Sequence, residues 1–205
     1  MICKLKKIIF YFFHPNMVIE KIKWLIQKKK LKKCGKNSFV GKFFSIKGSK
    51  YISIGTNTRI GRFAIISAYD SYRGAPTGFI PNLDIGNNVS VMNNCLISCA
   101  NFVRIDDGVL LGDNVFITDN YHGDTINVQF NIPPIERKIC IKGKVHIGKN
   151  VWVGRNVCIM PDVEIGDGSI IGANSVVTHN VPPYCVVAGS PATIIRRNNI
   201  SEVKY

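Results

Sequence analysis

The stretch IGKNVWVGRNVCIMPDVEIGDGSIIGANSVV, residues 147–177, decides the fold. Ile147, Val153, Ile159, Ile165, Ile171 and Val177 stand six apart without a slip, each opening a unit such as IGKNVW or VGRNVC. A second valine, isoleucine or serine usually follows four residues on. Six is not a helical period. As a multiple of two it keeps every sixth side chain on one face of an extended chain. The spacing predicts short strands that turn a corner after a few residues, where Gly or Asn accepts the required dihedrals. Three such strands close a triangle, so about 18 residues make one coil, rising ~4.8 Å.

The same step recurs upstream at Ile54, Ile60 and Ile66, then at 85, 91, 97 and 103. It restarts two residues late at 105, 111 and 117, and a weaker set, Val40, Ile46 and Ile52, begins the series. The expected architecture is an all-β solenoid of about six coils over residues 37–197. An ordinary β-sandwich would not hold so strict a spacing. Handedness does not follow from the spacing. Two segments interrupt the rhythm: residues 70–83, DSYRGAPTGFIPNL, and residues 123–144, which contain NIPPIERK. Segments expelled from a solenoid lie on its outside, where such folds place their sites.

The formal net charge of +14 is concentrated at one end. Residues 1–36 hold eleven lysines against a single acid, Glu20, and residues 198–205 form a short polar tail. That distribution argues against a nucleic-acid groove spread over the fold and for a basic N-terminal face, suited to an anionic membrane or a polyanion. The apolar run Ile8–Phe13 is far too short to span a membrane, and short for a signal-peptide core. Val18, Ile22, Leu25 and Ile26 fall at helical spacing, so a short helix is expected whose apolar face either caps the first coil or dips into lipid. The seven cysteines are odd in number and form no C-x-x-C; several sit inside apolar hexads as small hydrophobes, which fits a reducing cytoplasm.

The rhythm stops directly after VFITDNYHGD, residues 115–124. His122 is thus expected beside an expelled loop, and imidazole titrates near neutrality, as a general base requires. Asp119, three residues earlier, is a candidate to orient the ring or hold a substrate, with a turn former as the plain alternative. Asn94 and Asn101 are weaker candidates for the same groove. His14 and His146 stand in no matching motif.

Residues 147–196 resemble the hexapeptide-repeat acyltransferases. With ITDNYHGD and KGKVHIG the resemblance narrows to the branch holding polysaccharide O-acetyltransferases and galactoside or maltose acetyltransferases. It covers about residues 50–197. It implies a left-handed parallel β-helix, a homotrimer, acetyl-CoA as donor, a sugar or glycan acceptor and no metal. It gives His122 the role of general base and marks Asn101 as similar to an acceptor-binding asparagine. For the donor it implies Trp152 beside the pantetheine arm, Arg155 and Ala173 along it, Thr178 and His179 at the end of the last clean hexad, and Arg196 on a CoA phosphate, with Arg197 as substitute. Histidine at 179 and threonine at 193 depart from the basic residues usual there. The function so implied is transfer of acetyl to a sugar hydroxyl in surface-polysaccharide synthesis. An amino-sugar N-acetyltransferase and a non-catalytic binding solenoid are the alternatives. A zinc hydratase of similar fold needs three converging histidines with an H-x-x-x-x-H pair, which the chain lacks.

Overall fold

The computed structural model describes residues 15–124 and 130–198. Cys3, the apolar run Ile8–Phe13, His14 and the tail beyond Asn198 lie outside the described residues. The chain is mostly β, in three sheets of six, eight and six strands that it visits in rotation. Every pairing within them is parallel except the last, where Ala192–Arg197 returns antiparallel along Cys185–Gly189. Each strand bonds to its counterpart one rotation before and after, so strands of two to four residues suffice.

The inward side chains stack in three columns. Ile54, Ile85, Ile105, Ile147 and Ile165 align in the first sheet. Ile60, Val91, Leu111, Val153, Ile171 and Val187 align in the second, and Ile66, Ile97, Ile117, Ile159 and Val177 in the third. All of them are buried. Each fully buried aliphatic chain contributes about 2–3 kcal/mol of transfer free energy, and this repetition replaces the single large core of other folds. The sequence's two-residue restart also has its explanation here. Val103 and Ile105 both face inward from one four-residue strand, Phe102–Ile105, so two positions of one strand were read as two steps.

The corners are built from left-handed residues. Asn94, Asn114, Asn156 and Asn174 occupy one corner with φ between 58° and 61°, and Asn37, Asn57, Asn88 and Asn150 another. Their side chains bond from rung to rung, as in Asn114–Asn156 at 2.8 Å and Asn156–Asn174 at 2.9 Å. Glycine is required where rungs touch: a Cβ at Gly154 would lie 2.6 Å from the Ala173 nitrogen. Buried Cys95, Cys99 and Cys185 act as small apolar fillers, and burial pushes the Cys95 thiol up to about 11.

Among the described residues one α-helix, α1 (Pro15–Lys30), lies over the open end, with Lys28, Lys29 and Lys30 in its last turn, where the helix dipole favours cations. Of the two roles left open for the apolar stripe of this helix, docking on the first coil is not the one seen. Trp24 is buried and meets the Phe44 ring edge-on at 6.2 Å, Glu20 accepts the Phe43 amide at 2.9 Å, and Gln27 bonds to Ser49. Ile19, Ile22, Leu25 and Ile26 stay 50–53% exposed. One aromatic plus satisfied polar groups fits the small end of the prism, and the broader aliphatic stripe faces outward.

Candidate active site

His122 ends the strand Asn120–His122, which leaves the third sheet directly after Phe116–Thr118. This strand pairs antiparallel with Ile139–Ile141, the returning arm of the second expelled segment, and His122 stands opposite Ile139. The imidazole is exposed, and among the described residues no hydrogen bond reaches it. Its one ring contact is with Tyr72, at 5.2 Å between centroids and 60° between planes. Tyr72 belongs to the hairpin Ser71–Tyr72/Ala75–Pro76 of the first expelled segment. Both segments leave from the same sheet, after Ile65–Ala68 and after Phe116–Thr118, with only Leu96–Cys99 between. A cavity of about 440 Å³ opens between them, lined by Tyr72, Thr77 and Phe79 on one side and Glu136, Arg137 and Ile139 on the other.

Asp119 takes the plainer of its two expected roles, that of a corner residue. It is fully buried, and its carboxylate accepts the backbone amides of Ala100, Asn101 and Phe102 at 2.8, 2.8 and 2.7 Å, plus the Asn120 amide at 2.9 Å. At a regular corner such amides donate to carbonyls of the next rung, as Gly86 does to Ile105. Here the chain has departed, and the carboxylate takes the place of those carbonyls. Asp119 therefore lets the rhythm break without leaving buried donors orphaned. Asn94 is displaced from its expected place. It is a corner residue with φ 58°, on the corner between the second and third sheets, whereas the expelled segments leave from the far end of the third. Asn101 stands at that far corner, one rung before the His122 excursion, and its carbonyl accepts the Asn82 amide at 2.8 Å.

The residues assigned to the donor fall on two places. Trp152, Ile170, Val186 and Arg196 form one row across the second sheet, with Trp152 53% exposed. Arg155 and Ala173 sit one above the other at the adjoining corner, and both are exposed. Thr178 and His179 follow the last strand of the third sheet, where the Thr178 hydroxyl and His179 Nδ1 bond at 2.8 Å. Arg197 leans over Cys185, its Nη1 3.8 Å from the sulfur. An exposed indole on the same sheet as Arg196, which carries no ion pair among the described residues, fits a ligand with an aliphatic arm and phosphates.

His146 proves to be part of a charged network. Its Nε2 lies 2.8 Å from Asp106 and its Nδ1 3.5 Å from Glu164, while Arg104 Nε reaches Asp106 at 2.7 Å. Burial works to raise the Asp106 carboxyl, but the bonds from His146 and Arg104 outweigh it and hold it below the usual range. Tyr72 was missed from sequence. The signal for it was the column Ile66–Ile97–Ile117, which places both interruptions after the same hexad position.

The fold is a repeat-built prism with two segments expelled beside one sheet. Residues 144–179 match the family described as bacterial transferase hexapeptide (six repeats). Over that segment the chain is similar to the hexapeptide-repeat transferases. It is 40% identical over 118 residues to an Escherichia coli K12 protein named as a lipopolysaccharide biosynthesis O-acetyl transferase, WbbJ, covering 55% of this chain and 59% of that one. It is 37% identical over 126 residues to the galactoside O-acetyltransferase of the same organism, covering 58% and 59%. The chain thus spans under two thirds of the length of these relatives. A hexapeptide-repeat acetyltransferase from Vibrio cholerae, solved with acetyl coenzyme A, superposes with a TM-score of 0.53 at 27% identity, covering 84% of this chain and 74% of that one.

Proposed function

We propose that this chain moves an acetyl group from acetyl-CoA to a sugar hydroxyl of a surface-polysaccharide precursor, with His122 as general base. The observation that carries the reading is the position of His122: an exposed imidazole against Tyr72 and opposite Ile139, two residues that line the cavity between the expelled segments, in a chain similar to named O-acetyltransferases. Imidazole takes the hydroxyl proton as the acceptor oxygen bonds to the acetyl carbon. The carbon–sulfur bond then breaks, and the imidazolium returns the proton to the departing sulfur. Backbone amides at the corners are suited to hold the oxyanion. Trp152, Arg155, Ala173 and Arg196 would carry the donor along the second sheet and its adjoining corner, with Thr178 and His179 beyond.

The wider reading is a left-handed β-helix of about six coils that assembles as a homotrimer. Stacked Phe43 and Phe63, with Ile65, Leu110 and Trp152, leave a broad apolar edge exposed along the second and third sheets, which supports burial between copies. The test is thiol release from acetyl-CoA over a panel of free, nucleotide-linked and lipid-linked sugars. His122→Ala is expected to lose about 10²–10⁴-fold in kcat while still binding acetyl-CoA. Near-normal turnover in that variant would refute the assignment.

A further inference from the structure

Tyr72 is the point at which both expelled segments meet His122. The segments leave the third sheet two rungs apart, roughly 10 Å along the stack, and Tyr72 closes that gap. Its ring lies 5.2 Å from the imidazole, within the 4.5–7 Å range of aromatic pairs. Its hydroxyl donates to the Ile135 carbonyl at 3.0 Å, in the short turn Pro134–Glu136 of the other segment. The backbone beneath it is stiff. Tyr72 pairs with Ala75 across a two-residue turn in which Arg73 and Gly74 both have positive φ, 50° and 81°, the hairpin geometry that matches strand twist. A base normally has its ring held by a hydrogen-bonded neighbour. Asp119, the nearest preceding acid in sequence, is engaged with the amide N–H groups of residues 100–102 and Asn120, and none of the described side chains takes its place.

We propose that Tyr72 is the positioning residue of the site: its ring fixes the imidazole, and its hydroxyl fixes the opposite wall of the acceptor cavity. The proposal rests on His122 being the base. Two substitutions separate the two contacts. Tyr72→Leu removes the ring, and kcat is expected to fall about 10- to 100-fold, the effect of a misplaced catalytic group, with KM for acetyl-CoA unchanged. Tyr72→Phe restores the ring without the hydroxyl. It is expected to recover most of kcat while KM for the acceptor rises, because the Ile135 tether is gone. A second readout does not depend on turnover. The His122 imidazole protons, followed by NMR, should carry a ring-current shift that Tyr72→Phe keeps and Tyr72→Leu loses, with melting curves confirming that both variants fold. Wild-type kcat in Tyr72→Leu, equal kcat losses in the two variants, or imidazole shifts indifferent to the ring would each overturn the proposal. If the wild-type chain transfers no acetyl group, the reading of His122 as base fails, and the imidazole shifts still decide the contact.

Discussion

Asp119 accepts the Asn101 amide at 2.8 Å, reaching back one rung to the corner that the chain abandons when it leaves for His122. The carboxylate also binds the amides of Ala100 and Phe102 and is wholly buried. Asp119→Ala would strand three backbone donors, each costing about 1–3 kcal/mol. The expected loss is at least about 3 kcal/mol of stability, read by urea unfolding. Acceptor KM per folded molecule should stay near wild type, because the side chain faces the corner rather than the cavity. A stable variant with a raised KM would return Asp119 to the substrate.

Asp106 predicts an acid-sensitive contribution. Its folded carboxyl is held below the ordinary value of about 3.9 by His146 and Arg104. A depressed carboxylate stabilises the fold above its unfolded pKa, and that contribution disappears as pH falls through the folded pKa. Asp106→Asn should therefore be less stable than wild type by about 1 kcal/mol at pH 7, since the Arg104 partner is half exposed. The gap should close as pH falls through the depressed folded pKa, where wild type is itself protonated. Unfolding curves at both pH values check it; a constant gap would mean the pair acts through packing.

The repeat was legible because each hexad buries one aliphatic side chain and turns on one Asn or Gly, so the physics recurs in the letters. The columns through Ile147, Val153 and Ile159 followed directly from the spacing. What failed to show was anything that depends on how separate rungs meet. Asp119 looks like a substrate ligand in DNYH because its true partners, the amides 100–102, carry no side-chain signature. Tyr72 meets His122 from fifty residues away, through segments without periodicity. Which face of α1 docks was left open by the sequence for a related reason. Apolar spacing marks which residues avoid water, and the end of the prism offered room for one indole rather than a stripe.

That stripe gives the last prediction. Ile19, Ile22, Leu25 and Ile26 remain about half exposed although the opposite face of α1 is docked. Lys21, Lys23, Lys28, Lys29 and Lys30 surround them, and Lys32, Lys33 and Lys36 follow. Among the described residues no helix is long and apolar enough to cross a membrane. An aliphatic stripe edged by ammonium groups suits an anionic lipid interface, where each lysine contributes about 1 kcal/mol and the acyl boundary takes the apolar side chains. The protein should sediment with anionic vesicles and not with neutral ones. Binding should weaken as salt shortens the Debye length below ~10 Å. Ile22→Glu combined with Ile26→Glu should abolish sedimentation without lowering the melting temperature, because neither side chain is in the docked face. Vesicle binding that survives those changes would locate the attraction elsewhere in the basic segment. Loss of trimers in the double variant would show that the stripe is covered by a second copy of the chain instead of lipid.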